Sequence, residues 1–356
     1  MKEKERFPFG LIFGISCLFV ILPCSGYGAS LTIGNTISMT GIDGAEIAAG
    51  SPVYVDNIGQ LGTVTSSGTI AVNCSANPPE SLQSAIDAAQ PGDIINVTGT
   101  CTAGILIREE KQRIILDGQG AAILQGPNAT TNILNIRGKG IVIRNFEMTG
   151  GSNGIWVNRG GSAVIANNNI HDTNSDGIVV TQSSSAVIKS NNIHTNGSNG
   201  INITEGSSAR IGYEFSSDLS ASPNTIQSNG GRGIIVTTTS HAGIYGNTIA
   251  SNTGDGIGVF RGSSANIASN TIEGNLDGIS VAHNSAIFLG EDSTATFFGQ
   301  PNVTNATAAN NTKYGIECTF GASVRVPHLG STNPINGASA QFSLYGNCPS
   351  NFPFPL

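Results

Sequence analysis

Six side chains recur at one offset, five residues after a glycine that returns along the chain: Arg159, Gln182, Glu205, Thr238, Arg261 and His283. Guanidinium groups bind carboxylates and hydroxyl pairs through parallel hydrogen bonds, and a carboxylate or imidazole beside them can move a proton. Stacked in one column, these six form a polar ribbon carrying both charge signs, suited to contacting a glycan; the bland alternative is a solvated strand face. Trp156 stands beside the ribbon at an outward strand position, where an indole can stack on a sugar. An acid–base set for polysaccharide cleavage or epimerisation can be drawn from Glu205 and Arg261 with Glu214 or Asp218, which lie in an insertion.

Three further constellations compete with simpler readings. The segment from His171 to Gly177 opens like a calcium loop, with Asp172, Asn174 and Asp176 at alternate positions before a glycine. The place of its closing glutamate holds Ser183, and the same bend returns as TNGSNG, SNGGRG and SNTGDG, so an Asx–Gly turn is the competing reading. No cofactor is expected, with calcium the one alternative that these residues suggest. Asp255 and Asp277 each precede a repeat glycine, about one coil apart, near the separation of a retaining carboxylate pair, with Arg232 placed to screen them. Otherwise they are turn residues splayed into water. His171 and His194 take equivalent outward positions and could share a metal or a proton, although no third ligand is evident.

The elements that position these groups come from a repeat. The segments GIWVNRGGSAVIANNNI from Gly154, GIVVTQSSSAVIKSNNI from Gly177 and GINITEGSSARIG from Gly200 share one pattern. It continues as GIIVTTTSHAGIYGNTI from Gly233, GIGVFRGSSANIASNTI from Gly256 and GISVAHNSAIFLG from Gly278. The spacings are 23, 23, 33, 23 and 22 residues. β-Branched residues one and three places after each glycine mark a strand with one buried face. Second and third short strands follow, so each coil of about 23 residues holds three strands and its neighbours pair in parallel. Asn168, Asn191, Asn224, Asn247 and Asn270 recur two residues before the third-strand isoleucine and form an inward hydrogen-bonding ladder, with Phe146 in that place one coil earlier. Gly212 to Pro223 lengthens one coil, and a second interruption runs from Gly290 to Thr312. Insertions of this kind build a wall of a binding face, which places a site between Arg159 and Arg261 beneath the first insertion.

With these repeats the chain resembles a right-handed parallel β-helix of the pectin-lyase-like superfamily over about Ser81 to Gly330. The resemblance implies an all-β solenoid with a short N-terminal capping helix, and an activity or partner among polysaccharides. The polygalacturonase set of NTD, DD, GHG and RIK is not found, nor is the DPH element of alginate epimerases, so no catalytic residue of the family carries over. The leading expectation is an exported protein that interacts with extracellular or cell-wall polysaccharide. The alternatives are an atypical lyase, hydrolase or epimerase, and a structural surface protein or adhesin.

The ends bound the remaining choices. Lys2, Lys4 and Arg6 precede an apolar run from Leu11 to Leu22, so residues 1–28 read as a secretory signal, leading to secretion, the periplasm or the cell surface. Its removal takes 16 basic and 23 acidic residues to 13 and 21, a net charge of −8, which argues against a nucleic-acid partner. No second stretch is apolar enough to cross a membrane. Residues 29–73 form a separate segment with a hairpin around Asp56–Gly59. Pro79 to Gln90 reads as an amphipathic helix that covers the open end of the solenoid, which spans 74–330, followed by a C-terminal tail over 331–356. Cys74, Cys101, Cys318 and Cys348 allow three pairings; closing each end separately, Cys74 with Cys101 and Cys318 with Cys348, is the economical one.

Overall fold

The computed structural model describes residues 68–102, 104–214, 222–289, 311–312 and 315–325, together with the backbone of six short strands outside these ranges. The chain divides into two units, Met1–Thr63 and Val64–Leu356. In the first, Val53–Val55 pairs antiparallel with Leu61–Thr63, as the turn residues between them require, and Met39–Thr40 pairs with Glu46–Ile47.

The second unit is a parallel β-solenoid. Its first sheet has nine strands among the described residues, from Ile105–Ile107 to Ile316–Cys318, each hydrogen-bonded to the equivalent strand of the next coil. The register is strict: Ile155 faces Ile178, which faces Ile201, which faces Ile234. Second strands such as Ser162–Ala166, Ser185–Lys189, Ser208–Ile211 and His241–Tyr245 stack in the same way, as do third strands such as Asn169–His171 and Asn192–His194. In the coil before the regular repeats, one strand, Ile141–Thr149, runs through both positions with a bulge between Arg144 and Phe146. Gly315–Phe320 (GIECTF) begins a further coil beyond Gly278, which the second interruption hides from the spacing pattern.

Isoleucine, valine and leucine from all three strands fill one continuous core, most of them with no exposed surface. The repeat glycines lie where coils touch: a Cβ on Gly154 would come within 2.5 Å of the Gly177 carbonyl oxygen, and one on Gly177 within 2.8 Å of that of Gly200. At the N-terminal end a helix, Leu82–Ala88, lays Leu82 and Ile86 on the core, and the Ser81 side chain accepts from the Ser84 N–H at its start. It is shorter than the span from Pro79 to Gln90, because Ala89 is already extended (ψ 141°). Thr69–Asn73, placed in the N-terminal segment from sequence, pairs parallel with Ile94–Thr98 and so belongs to the solenoid.

The expected asparagine ladder forms. Asn168, Asn191, Asn224 and Asn247 each donate through Nδ2 to Oδ1 of the next asparagine at 2.8–3.0 Å. Each also donates to a carbonyl at the bend, and Phe146 enters the column through its N–H, which Asn168 Oδ1 accepts at 3.1 Å. Two more ladders occupy the other corners. Asn196, Asn229, Asn252, Asn275 and Asn311 link coil to coil between third and first strands. Ser184, Ser207, Ser240, Ser263 and Ser285 do so between first and second strands, each serine Oγ after the first accepting the backbone N–H of the previous one.

Cys74 and Cys101 form a disulfide at the N-terminal end. Cys318 is buried and disulfide-bonded, and Cys348 lies outside the described residues. Among the described residues no helix is long and apolar enough to cross a membrane.

The ladder generates the first prediction. Asn224 is fully buried and satisfies the Asn191 N–H and Nδ2, the Ile188 carbonyl and Asn247 Oδ1. Replacing it with leucine strands those groups in the core, so Asn224→Leu is expected to cost roughly 2–4 kcal/mol in urea unfolding. An unchanged midpoint would mean the ladder contributes little.

Candidate functional site

The polar ribbon lies on a corner, not on a strand face. Arg159, Gln182, Glu205, Thr238, Arg261 and His283 all adopt left-handed backbone, with φ between 51° and 57°, at the bend from first to second strand. Backbone bonds still hold them in one column: Gly160 N–H donates to the Gln182 carbonyl and Ser183 N–H to that of Glu205. Several are committed to neighbours. Arg159 pairs with Glu109 at 3.5 Å, and Glu205 Oε2 accepts from the Thr181 hydroxyl at 2.8 Å. A backbone hydrogen bond, helped by Arg137 and Arg159, holds Glu109 below the usual carboxylate range. Trp156 is half-buried on the first sheet between Asn135 and Val179, and its Nε1 is covered.

The carboxylates before the repeat glycines are buried rather than splayed into water: Asp176, Asp255 and Asp277 are 6 %, 4 % and 1 % exposed. With Asn153, Asn199 and Arg232 they build another coil-to-coil row. Asn153 Oδ1 accepts from the Asp176 N–H at 3.0 Å, and Asp176 Oδ1 accepts from the Asn199 N–H and Nδ2 at 2.8 Å. Arg232 Nε binds Asp255 Oδ2 at 2.7 Å, so the arginine screens the aspartate as expected, in a structural role. The calcium-loop residues do not converge. Asp172 Oδ2 sits 2.8 Å from His171 Nδ1, Asn174 Nδ2 donates to the Gly151 carbonyl, and Asp176 is occupied by amide donors, so this set does not fit a cation. No group of three or more His, Cys, Asp or Glu among the described residues is placed to hold a metal.

His171 and His194 stack face to face, centroids 5.0 Å apart with planes 6° from parallel. Asp172 and Glu147 flank His171, at 2.8 and 3.3 Å, while His194 contacts Thr195 Oγ1 and Asn169 Oδ1. Burial first, then the charge of His171, pushes the His194 pKa below the usual histidine value.

A groove of about 410 Å³ lies on the outside of the second sheet. Alternation along each strand turns one residue in and the next out, so Val164 and Val187 form its floor and Ser162, Ser185 and Ser208 one edge. Arg210, in register with Val187, and His241, in register with Ser208, bring polar chemistry to it. Arg210 Nη1 donates to the Glu214 carbonyl at 3.0 Å, and the Glu214 carboxylate pairs with Lys189. Glu214 is therefore neutralised at the rim. His241 keeps one edge open to solvent, with Nδ1 2.9 Å from Ser264 Oγ, and burial of the rest of the ring holds its pKa below the histidine norm. Tyr213 closes the far wall, edge-on to Tyr245 at 6.5 Å, and burial raises its phenol pKa. Its hydroxyl lies over Gly243, where a Cβ would come within 2.0 Å.

Gly212 to Glu214, the described start of the first insertion, follows the second strand and brings Tyr213 to this groove; the ribbon from Arg159 to Arg261 stands at the opposite edge of the same sheet. Asp218, and Glu291 and Asp292 of the second interruption, lie outside the described residues. Arg210 and His241 were missed from sequence. Their signal was present in the outward position of SAVIA, SAVIK, SARIG and HAGIY, where a single arginine replaces valine.

A family model described as the right-handed β-helix region matches residues 93–213 and 211–347. The chain belongs to that family. The right-handed parallel β-helix expected from the repeats is thereby borne out. Solved structures with this fold include the alginate lyase from Paenibacillus sp. str. FPU-7, with a TM-score of 0.50 and 19 % identity over 76 % of this chain and 96 % of that one. Pectate lyase Pel9A aligns at a TM-score of 0.47 and 14 % identity, covering 74 % and 78 %. The A-module of the Azotobacter vinelandii mannuronan C-5 epimerase AlgE6 aligns at 0.42 and 14 %, covering 73 % and 95 %. No curated protein matches the chain.

Two outcomes follow. Because the folded state depresses the His194 pKa, its contribution to stability is complete above the unfolded value, about 6.5, and fades as pH falls below it. The loss of unfolding free energy from pH 8 to pH 5.5 should be smaller in His194→Gln, which places the residue found at Gln227 one coil on; an equal loss would remove His194 from the account. Gly243→Ala should expel Tyr213 from the groove wall, lowering the melting temperature and weakening the near-ultraviolet tyrosine dichroism, while an unaltered spectrum would contradict that packing.

Proposed function

We propose that this is an exported β-helix protein that holds an extracellular or cell-wall polysaccharide along the groove of its second sheet. The observation that carries the reading is the groove itself: a shallow apolar floor, a row of serines one coil apart, and Arg210 in its lining. Such a surface suits a polymer, with hydroxyl contacts that repeat along the chain and a guanidinium for a carboxylate or a hydroxyl pair. The basic and apolar start of the chain supports export to the periplasm, the cell surface or the medium. The alginate lyase that shares the fold makes alginate a sensible first probe.

Electrophoresis through gels containing alginate, polygalacturonate or xylan tests this. The protein should be retarded by at least one polymer, and Arg210→Ala should weaken that retention about tenfold, the scale of one charge-assisted hydrogen bond. Free migration in every gel would overturn the reading.

One observation favours a second reading, chemistry on the bound chain: the lowered pKa of His241 leaves a neutral imidazole facing the same groove as Arg210. Mass spectrometry of polymer digests separates the cases. Unsaturated fragments indicate a lyase and water-added fragments a hydrolase; intact polymer indicates an epimerase if its uronate composition has changed by NMR and a binding role if it has not.

A further inference from the structure

Phe320 is the most exposed large apolar side chain among the described residues, at 72 %. It also holds left-handed backbone, φ 51°, which bulky side chains disfavour. In earlier coils this corner position carries polar residues, Arg261 and His283 among them. Neither core burial nor backbone preference accounts for a phenylalanine there.

The ring is not isolated. It stacks on His283 with centroids 5.1 Å apart and planes 12° from parallel, and His283 meets the edge of Phe260 at 6.3 Å. The Arg232 guanidinium lies 4.8 Å from the Phe260 centroid while bound to Asp255. One ring per coil is thus presented along the solenoid axis, at spacings near the coil rise of roughly 4.8 Å, and anchored at one end by an ion pair whose aspartate is buried. Phe260 reaches over Gly258 of the first sheet while His283 and Phe320 stand at the corner beside the second, so a polymer leaving the groove toward the C-terminal coils can meet the row at this corner. A single file of rings fits an extended chain better than it fits the broad face of a protein partner.

We propose that Phe260, His283 and Phe320 form a sugar-stacking subsite that takes the apolar face of a pyranose ring of the same polymer. This rests on the polysaccharide reading and adds a second contact region, several coils from Arg210. Binding should accordingly favour chains long enough to span both.

The test uses the whole protein in alginate, polygalacturonate and xylan gels, beside thermal melting. Phe320→Ala and Phe320→Asn should each weaken retention about tenfold in the polymer that retards the parent, and Phe320→Trp should retain it. Asparagine tolerates left-handed backbone, so Phe320→Asn removes the ring without a folding penalty. Leu276→Ala, which removes another exposed apolar side chain at a different corner, should bind like the parent. Parental retention by both Phe320→Ala and Phe320→Asn would overturn the subsite while leaving the groove reading intact. A parent that no polymer retards would overturn both.

Discussion

The structure depends on satisfying the backbone at its corners. A parallel solenoid pairs the strands of successive coils, but every bend between them leaves buried N–H and C=O groups that no strand can reach. Here each bend carries a column of short polar side chains that does the pairing. Asparagines serve two bends, each bonding coil to coil as well as to a carbonyl at the bend, and serines serve the third by accepting a backbone N–H from the preceding coil. An unpaired buried amide costs about as much as several buried methylenes contribute, so the ladders decide whether the apolar core can be closed at all.

That constraint also decides which residues are left for function. Side chains beside the repeat glycines, which look like a carboxylate pair with an arginine, are drawn inward and spent on another coil-to-coil row. Left-handed corners turn the charged column of Arg159 to His283 out at an edge. The outward positions of the second strands are then the surface where chemistry can vary without disturbing the stack. Val164 and Val187 give way there to Arg210 and Gly243, and the missing side chain at Gly243 admits Tyr213 from the insertion. One glycine thus couples a surface loop to the wall of the groove.

Electrostatics follows the same division. Buried charges are paired or amide-bonded, as with Asp176 and the Arg232–Asp255 pair, because an isolated charge could not be desolvated there. The rim carries the adjustable groups: Lys189 neutralises Glu214, Arg210 is held by a carbonyl, and partial burial keeps His241 and His194 below the usual histidine range.

By itself the sequence determined the solenoid, the parallel register and the asparagine ladder with Phe146 at its head, indicated a hairpin near Asp56, and made Cys74 with Cys101 the economical choice among three cysteine pairings. Each rests on periodicity or local chemistry, which survives in one dimension because every coil meets only its neighbours. Which way a side chain faces at a bend is another matter. A change of backbone from extended to left-handed moved Arg159 and Arg261 from a face to an edge, and a register counted in coils placed Arg210, His241 and Tyr213 around one groove although they are scattered in sequence. The further coil at Gly315 and the two extra ladders were hidden for the same reason, since interruptions and inward rotation are set by contacts between coils. Periodicity specifies the stack; only the stacked corners decide what it shows to solvent.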